Sequence, residues 1–176
     1  FCVGTSSGGY AAVIAGHYLK ADFVHAFSPQ TKIAIDPKGI WNARHPVHRW
    51  RMSISRRVDR EVLDLAPMLS QFNGKTRYFV HYGVGHMIDR RFAERIAGMP
   101  SVITLGYQCN AHAIAIFLAK KKFLGKVLVL ENQNRLAEIA RDHFGETVRL
   151  ASTASAPTPT RPPLFEGISE SNLPTM

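Results

Sequence analysis

The first residues whose types and spacing could do chemistry surround a serine near the start of the chain. Residues 4–8 read Gly-Thr-Ser-Ser-Gly and fit the pattern Gly-x-Ser-x-Gly around Ser6. Glycines on both sides let a strand turn sharply into a helix and lift the serine hydroxyl above the sheet edge. At the start of that helix, the backbone N–H of Ser7 could bind a developing oxyanion. The pattern predicts Ser6 as a nucleophile, with a helix N-cap serine as the alternative.

A nucleophilic serine needs a base that takes its proton and a carboxylate that orients the base. Asp89 follows one apolar run by a short loop, and His112 follows the next apolar run in the same way. The order serine, acid, histidine predicts Asp89 as the orienting acid and His112 as the general base. Asp36, which comes after an earlier strand, is the rival acid. Asp89 could instead be a helix N-terminal residue favoured by the helix dipole, and His112 a polar loop residue.

Other chemistries are less well supported by the residues. The chain has eight histidines, of which His45 and His48 lie three apart and His81 and His86 flank a strand end. Neither pair has a cysteine or paired carboxylate at ligand spacing, so we expect no metal site and no cofactor. The glycine-rich loop lacks the Gly-Lys-Ser/Thr ending of a phosphate-binding loop. The two cysteines are predicted to be reduced core thiols.

The elements that position these residues alternate between apolar runs and helical stretches. This alternation is typical of an α/β fold with parallel strands and crossover helices. Strands are predicted at residues 1–3, 23–27, 77–82 and 101–107, and helices at about 10–20, 89–97, 113–123 and 127–144. Ser6, Asp89 and His112 should therefore meet at the carboxyl edge of one sheet.

Two stretches fall outside the alternation. Residues 36–75 form a long insertion that we interpret as a lid with some helix. Its first half is basic, because residues 37–60 hold one lysine and six arginines against Asp59 alone, interleaved with Trp41 and Trp50. Residues 151–176 are rich in Pro, Ser and Thr and are predicted to be a disordered tail.

Composition limits the class of protein. The chain has 176 residues, of which 45% are hydrophobic, and a formal net charge of +9. These values exclude collagen-like, coiled-coil and acidic disordered proteins. The sequence contains neither an export signal nor an apolar run long enough to span a bilayer, so we expect a cytoplasmic location.

On residues 4–10, Asp89 and His112, the sequence resembles the α/β-hydrolase superfamily. It is most similar to a bacterial subgroup with a Gly-x-Ser-x-Gly-Gly-Tyr-Ala-Ala elbow, followed by Ala-Phe-Ser-Pro-Gln-Thr, here residues 26–31. The resemblance covers residues 1–124. It implies Ser6 as nucleophile, His112 as general base and then acid, Asp89 as orienting acid, and the Ser7 N–H as one oxyanion donor.

The sequence departs from this family at its front. The superfamily's sheet has more strands, and the four predicted here match its last four. The loop that supplies the second oxyanion N–H is absent. We therefore expect residues 1–150 to form the C-terminal half of a longer α/β-hydrolase domain.

The resemblance implies a serine hydrolase that cleaves an ester or related acyl bond through an acyl-enzyme. A small-molecule or glycan-linked ester is the expected substrate, without a metal or cofactor. The alternative is a non-catalytic domain whose basic Arg/Trp insertion binds an anionic polymer, a glycan in preference to a nucleic acid.

Overall fold

A computed structural model describes residues 1–33, 60–71, 74–145 and 148–152 of the chain. Its elements, in chain order, are β1 (Cys2–Thr5), α1 (Ser7–Tyr18), β2 (Phe23–Phe27), a 3₁₀ turn (Arg60–Leu63), α2 (Leu65–Ser70), β3 (Arg77–Gly83), α3 (Met87–Ile96), β4 (Val102–Tyr107), α4 (Ile114–Lys120), α5 (Leu124–Leu128), a second 3₁₀ turn (Leu130–Arg135), α6 (Leu136–Phe144) and β5 (Val148–Ser152). No helix in these ranges is both long and apolar enough to cross a membrane.

The strands form one sheet in the order β1-β2-β3-β4-β5. The first four are parallel neighbours, with Thr5 opposite Phe27 and Phe27 opposite His81. The predicted α/β class with four parallel strands is therefore confirmed. Because the four strands run the same way, their carboxyl ends lie along one edge, where Ser6 directly follows β1.

The fifth strand was not predicted. β5 pairs antiparallel with β4, with Leu105 opposite Leu150. The predicted tail therefore begins too early, because Ala151 and Ser152 belong to β5 and give their backbone groups to the β4 edge. Residues 153–176, which make up the rest of that prediction, lie outside the described residues.

The predicted helix at 127–144 is divided into separate elements. Val129 is extended, with a ψ of 125°, and ends α5. The Gln133 side-chain amide donates to the carbonyls of Val127 and Val129, at 2.7 and 2.8 Å. These carbonyls take their hydrogen bonds from a side chain, so the chain turns and restarts as α6. A periodicity pattern cannot show such a local replacement of helical bonds.

Helices flank the sheet, and two apolar clusters cover its two faces. Val24 and Ala26 of β2 belong to one cluster, which includes residues of α1, α2 and α3. Phe23 and Phe27 belong to the other cluster, which includes residues of α4, α5 and α6. The alternation along β2 therefore places successive side chains on opposite faces, as a strand requires. Both faces are buried at the centre of the sheet, which holds the strand ends in fixed positions.

The turn from β1 into α1 depends on a glycine. A Cβ at Gly4 would lie 2.1 Å from the carbonyl oxygen of Gly8 and 2.8 Å from the amide nitrogen of Gly9. The Ser6 N–H donates to the Phe27 carbonyl at 2.8 Å, which ties the turn to the end of β2. Gly8 itself is open in the part of the chain that the structure describes, because beyond its chain neighbours and the backbone of α1 no atom there lies within 4 Å of the Cβ it would carry. The close approach of β1 to the start of α1 therefore requires a glycine at position 4 but not at position 8.

A chain of hydrogen bonds joins buried polar side chains on the face of the sheet that α4, α5 and α6 cover. His25 Nδ1 lies 3.1 Å from His81 Nε2, His25 Nε2 lies 2.6 Å from Gln133 Oε1, and His81 Nδ1 lies 3.0 Å from Tyr107 Oη. The Gln133 amide nitrogen donates to two backbone carbonyls, so its oxygen must accept from His25. His81 Nε2 then donates to His25 Nδ1, and the Tyr107 hydroxyl donates to His81. One proton arrangement, with both imidazoles neutral, satisfies every group.

Burial disfavours the charged form of both histidines. It lowers the pKa of His25 from 6.5 to about 4, although the Gln133 hydrogen bond partly opposes the shift. Burial, and then the charge of His25, lower the pKa of His81 well below its usual value. The unfolded chain thus binds these protons at a higher pH than the folded chain does, and stability falls as the pH drops below about 6.5.

We predict that acid destabilises the fold through this pair. For His25 alone, lowering the pH from 7.5 to 5.0 should reduce the free energy of unfolding by about 2 kcal/mol. The variant His25→Gln keeps a polar side chain but no titrating group, so it should lose less stability over the same interval. Urea unfolding at the two pH values measures both losses. Equal losses in the two proteins would contradict this account.

A second prediction concerns the turn glycines. Gly4→Ala should lower the free energy of unfolding by about 1–3 kcal/mol, because backbone atoms must move to admit the methyl group. The matched variant Gly8→Ala has room for its methyl group and lies in α1, so it should raise stability by about 0.5–1 kcal/mol. Urea unfolding of both variants measures the two changes, and a destabilised Gly8→Ala with an unaffected Gly4→Ala would refute the assignment.

Candidate functional site

The backbone at Ser6 has a conformation that side-chain-bearing residues rarely adopt. Its φ is 53° and its ψ is −120°, between the last residue of β1 and the first of α1. A non-glycine residue in this region is strained, and such strain is common at functional sites. The Ser6 hydroxyl makes no capping hydrogen bond to α1. The N-cap alternative therefore lacks its defining interaction.

The Ser6 hydroxyl instead faces His112. Ser6 Oγ lies 3.2 Å from His112 Nε2, although the two residues are 106 positions apart in the chain. This distance is near the upper limit for a nucleophile and its base, and is typical of a site without substrate. The two side chains can thus exchange a proton.

His112 sits in the loop between β4 and α4. That loop is fixed to the loop after β3, because the Gly85 N–H donates to the Cys109 carbonyl at 2.9 Å. A Cβ at Gly83 would lie 2.9 Å from the carbonyls of both Cys109 and Ala111, so the end of β3 is also in direct backbone contact with the loop that carries His112. The His112 side chain remains 48% exposed. The imidazole is therefore held in place and open to substrate.

Asp89 completes the arrangement from the first turn of α3. Its side chain is 3% exposed, and its Oδ1 and Oδ2 lie 3.0 and 2.9 Å from His112 Nδ1. A carboxylate next to Nδ1 favours the tautomer that carries its proton there, which leaves Nε2 free to accept the Ser6 proton. The structure thus brings the three predicted residues together, in the connectivity that serine nucleophiles use.

The site also contains His86, which the sequence suggests only as one of a pair with His81 and not as a neighbour of Asp89. His86 caps α3, and its Nδ1 lies 3.1 Å from Asp89 Oδ2 and 3.3 Å from the Asp89 amide nitrogen. Its ring centre is 5.3 Å from that of His112. The sequence does contain a pattern that indicates this contact. In His-x-x-Asp at the start of a helix, the capping side chain can reach the residue three positions later.

Together, these residues could also hold a metal ion. One ligand atom from each of His86, Asp89 and His112 lies within 4.8 Å of the other two. The sequence pairs His86 with His81 at the end of one strand, and that pair predicts no metal site. His81 instead stacks on Phe27 and bonds His25 and Tyr107, so that pair does not converge.

The backbone N–H of Ser7 lies at the first position of α1. Amides in the first turn of a helix have no acceptor within the helix, and the helix dipole makes this end positive. An oxyanion formed on a substrate bonded to Ser6 Oγ would lie beside this N–H group. The predicted oxyanion role of Ser7 is consistent with its placement.

A cleft of about 400 Å³ begins beside the site without including the serine. It is lined by Val84, Gly85, Met87, Arg90, Arg91 and Glu94. These residues flank His86 on both sides along the chain, and Arg90 is paired with Glu94 at 2.6 Å. The cleft therefore extends from the loop that carries His86 along the outer surface of α3.

The remaining sequence candidates divide into two groups. Cys2 lies in β1 and packs against the apolar cluster there. Burial raises the pKa of the Cys109 thiol, which makes it a poor nucleophile. Asp36, His45, His48 and the basic stretch at 37–59 lie outside the described residues. Among the residues that the structure describes, Asp89 is the acid in contact with His112.

Searches against protein-family models, curated proteins and solved structures gave no match to this chain. The site is therefore interpreted from its own residues and geometry.

Proposed function

We propose that this chain belongs to a serine hydrolase of the α/β-hydrolase type, which cleaves an ester or related acyl bond through an acyl-enzyme. The observation that carries the proposal is the continuous contact from Ser6 Oγ to His112 Nε2, at 3.2 Å, and from His112 Nδ1 to the buried Asp89 carboxylate, at 2.9 Å. A strained serine, an exposed imidazole and a buried acid are what acyl transfer requires.

The first half of the proposed reaction forms the acyl-enzyme. Ser6 Oγ attacks the carbonyl carbon while His112 Nε2 takes the hydroxyl proton. The Ser7 N–H donates to the oxyanion, and the Asp89 carboxylate stabilises the imidazolium that forms. His112 then gives its proton to the leaving alcohol, whose bond to the acyl carbon breaks.

The second half of the proposed reaction hydrolyses the acyl-enzyme and releases the carboxylic acid product. Water takes the place of the alcohol, and His112 Nε2 accepts one of its protons as the water oxygen attacks the acyl carbon. The tetrahedral intermediate collapses, and the proton returns to Ser6 Oγ as the free acid leaves. The exposed side of His112 gives water access for this step. No metal or cofactor takes part in the proposed cycle.

The lid hypothesis is supported by the position of the two ends of the insertion after β2. The Ile33 N–H donates to the Leu63 carbonyl at 2.8 Å, and the Leu65 N–H donates to the Thr31 carbonyl at 3.0 Å. The chain therefore leaves and rejoins the described fold at one place, near the carboxyl end of β2. Within the lid predicted at 36–75, Leu63, Leu65 and Leu69 are buried in the core, so residues 60–71 are not part of a lid. Because β2 ends at the same sheet edge as β1, we propose that the earlier part of the insertion acts as a lid for Ser6; residues 34–59 lie outside the described residues.

Substitution of the three residues tests the proposal. Ser6→Ala and His112→Ala should each lower kcat for p-nitrophenyl acetate by roughly 10⁶-fold. Asp89→Asn should lower it by about 10⁴-fold, because the amide favours the wrong imidazole tautomer. Ser70→Ala is the matched control, since its exposed hydroxyl bonds the Pro67 carbonyl and should not affect turnover. Unchanged turnover in His112→Ala would contradict the proposal that His112 is the general base.

Salt dependence separates the hydrolase from the anionic-polymer alternative. The rate of hydrolysis of a neutral ester should barely change between about 50 and 200 mM salt. Binding of a polyanion should weaken steeply over the same range, because counterions compete for the basic side chains. Fluorescence anisotropy with a labelled heparin or single-stranded DNA measures the second property. Tight, salt-sensitive binding by a chain that hydrolyses no ester would favour the binding domain.

A further inference from the structure

Two imidazole nitrogens lie close to the same carboxylate oxygen of Asp89. His112 Nδ1 lies 2.9 Å and His86 Nδ1 lies 3.1 Å from Asp89 Oδ2. The proposed hydrolytic cycle uses the first contact and gives no role to the second. The three residues come from two loop-to-helix junctions, after β3 and after β4, whose backbones are hydrogen-bonded to each other. The arrangement is therefore built into the sheet edge.

We propose that His86, Asp89 and His112 bind a single divalent transition-metal ion of the Zn²⁺ class, and that the bound ion switches off the serine site. Two imidazoles and one carboxylate form a ligand set that suits Zn²⁺, Co²⁺, Ni²⁺ and Cu²⁺ and that Mg²⁺ and Ca²⁺ do not favour. Metal binding is independent of the hydrolase proposal, whereas the inhibition rests on it.

Two of the three spacings between donor atoms are close to those that such an ion needs, and the third, between the His86 and His112 ligand atoms, is at most 4.8 Å. Bonds of about 2.0–2.2 Å to nitrogen and oxygen place neighbouring tetrahedral ligands roughly 3.3 Å apart. The two measured contacts to Asp89 Oδ2, 2.9 and 3.1 Å, need to widen by only a few tenths of an ångström. The side chains of His86 and His112 are 29% and 48% exposed, so an ion can enter from solvent and keep water as its fourth ligand.

The ion would inhibit by changing the tautomer of His112. In the serine site, Nδ1 carries the proton and donates to Asp89, while Nε2 accepts from Ser6. Coordination through Nδ1 requires that nitrogen to lose its proton, which moves by way of water to Nε2, so the imidazole stays neutral. Nε2–H can then only donate to Ser6 Oγ and cannot take its proton. The Asp89 oxygen exchanges its hydrogen bond from His112 for a metal bond, and no oxidation or reduction is involved.

Titration of the full chain with Zn²⁺ after removal of metals with a chelator tests the binding. Isothermal calorimetry should show a site that is weakened at least tenfold in His86→Ala. The variant His143→Ala is the matched control, because this exposed histidine bonds the Lys121 carbonyl and is not one of the three ligand residues. Co²⁺ gives a second readout, since its visible absorption should indicate nitrogen and oxygen ligands in the wild-type chain and weaken in His86→Ala.

Hydrolysis measured with and without Zn²⁺ tests the inhibition. Each variant is compared with itself, so the ratio of the two rates does not depend on its basal activity. Zn²⁺ should reduce wild-type turnover at least tenfold, and His86→Ala should need at least tenfold more Zn²⁺ for the same loss.

Three results would overturn the proposal: no Zn²⁺ binding, binding that is lost in His45→Ala or His48→Ala but kept in His86→Ala, or binding that leaves turnover unchanged. Binding that depends on His86, in a chain that hydrolyses no ester in any form, would support the metal site and count against the hydrolase.

Discussion

The hydrogen bond between the buried Asp89 carboxylate and the exposed His112 imidazole is the interaction on which the site depends. A carboxylate that is 3% exposed must be compensated by donors, and His112 provides one from the loop after β4. The same contact fixes which nitrogen of His112 faces Ser6. Orientation of the base, and the proposed sensitivity to metal ions, therefore have one physical origin.

The parallel sheet makes this contact possible. β1, β3 and β4 end at one edge, so residues that are 23 and 106 positions apart in the chain meet there. The turn after β1 is tightened by Gly4 and tied to Phe27, and the loops after β3 and β4 are bonded to each other. Buried clusters on the two faces hold these strand ends in place. The polar chain through His25 and His81 adds a specific pairing between β2 and β3, at the cost of acid stability.

The sequence predicted the parts that depend on local pattern. Apolar runs located the four parallel strands within about two residues, and turn chemistry placed Ser6, Asp89 and His112 at their ends. The break in the predicted helix at 127–144 came from the Gln133 amide, whose acceptors are defined only once the chain has folded. β5 was missed because its partner is the edge of β4, which is a long-range pairing. His86 was missed because its contact with Asp89 involves a cap, and its proximity to His112 arises from tertiary structure.

Covalent labelling of Ser6 tests the central claim most directly. A fluorophosphonate reacts only with a serine whose hydroxyl is activated by a neighbouring base, so the adduct reports the Ser6–His112 contact itself. Mass spectrometry of the peptide containing Ser6 should show one phosphonyl group on that serine in the wild-type chain and none in His112→Ala. Labelling that is absent from the wild-type chain, or that persists at Ser6 in His112→Ala, would contradict the account.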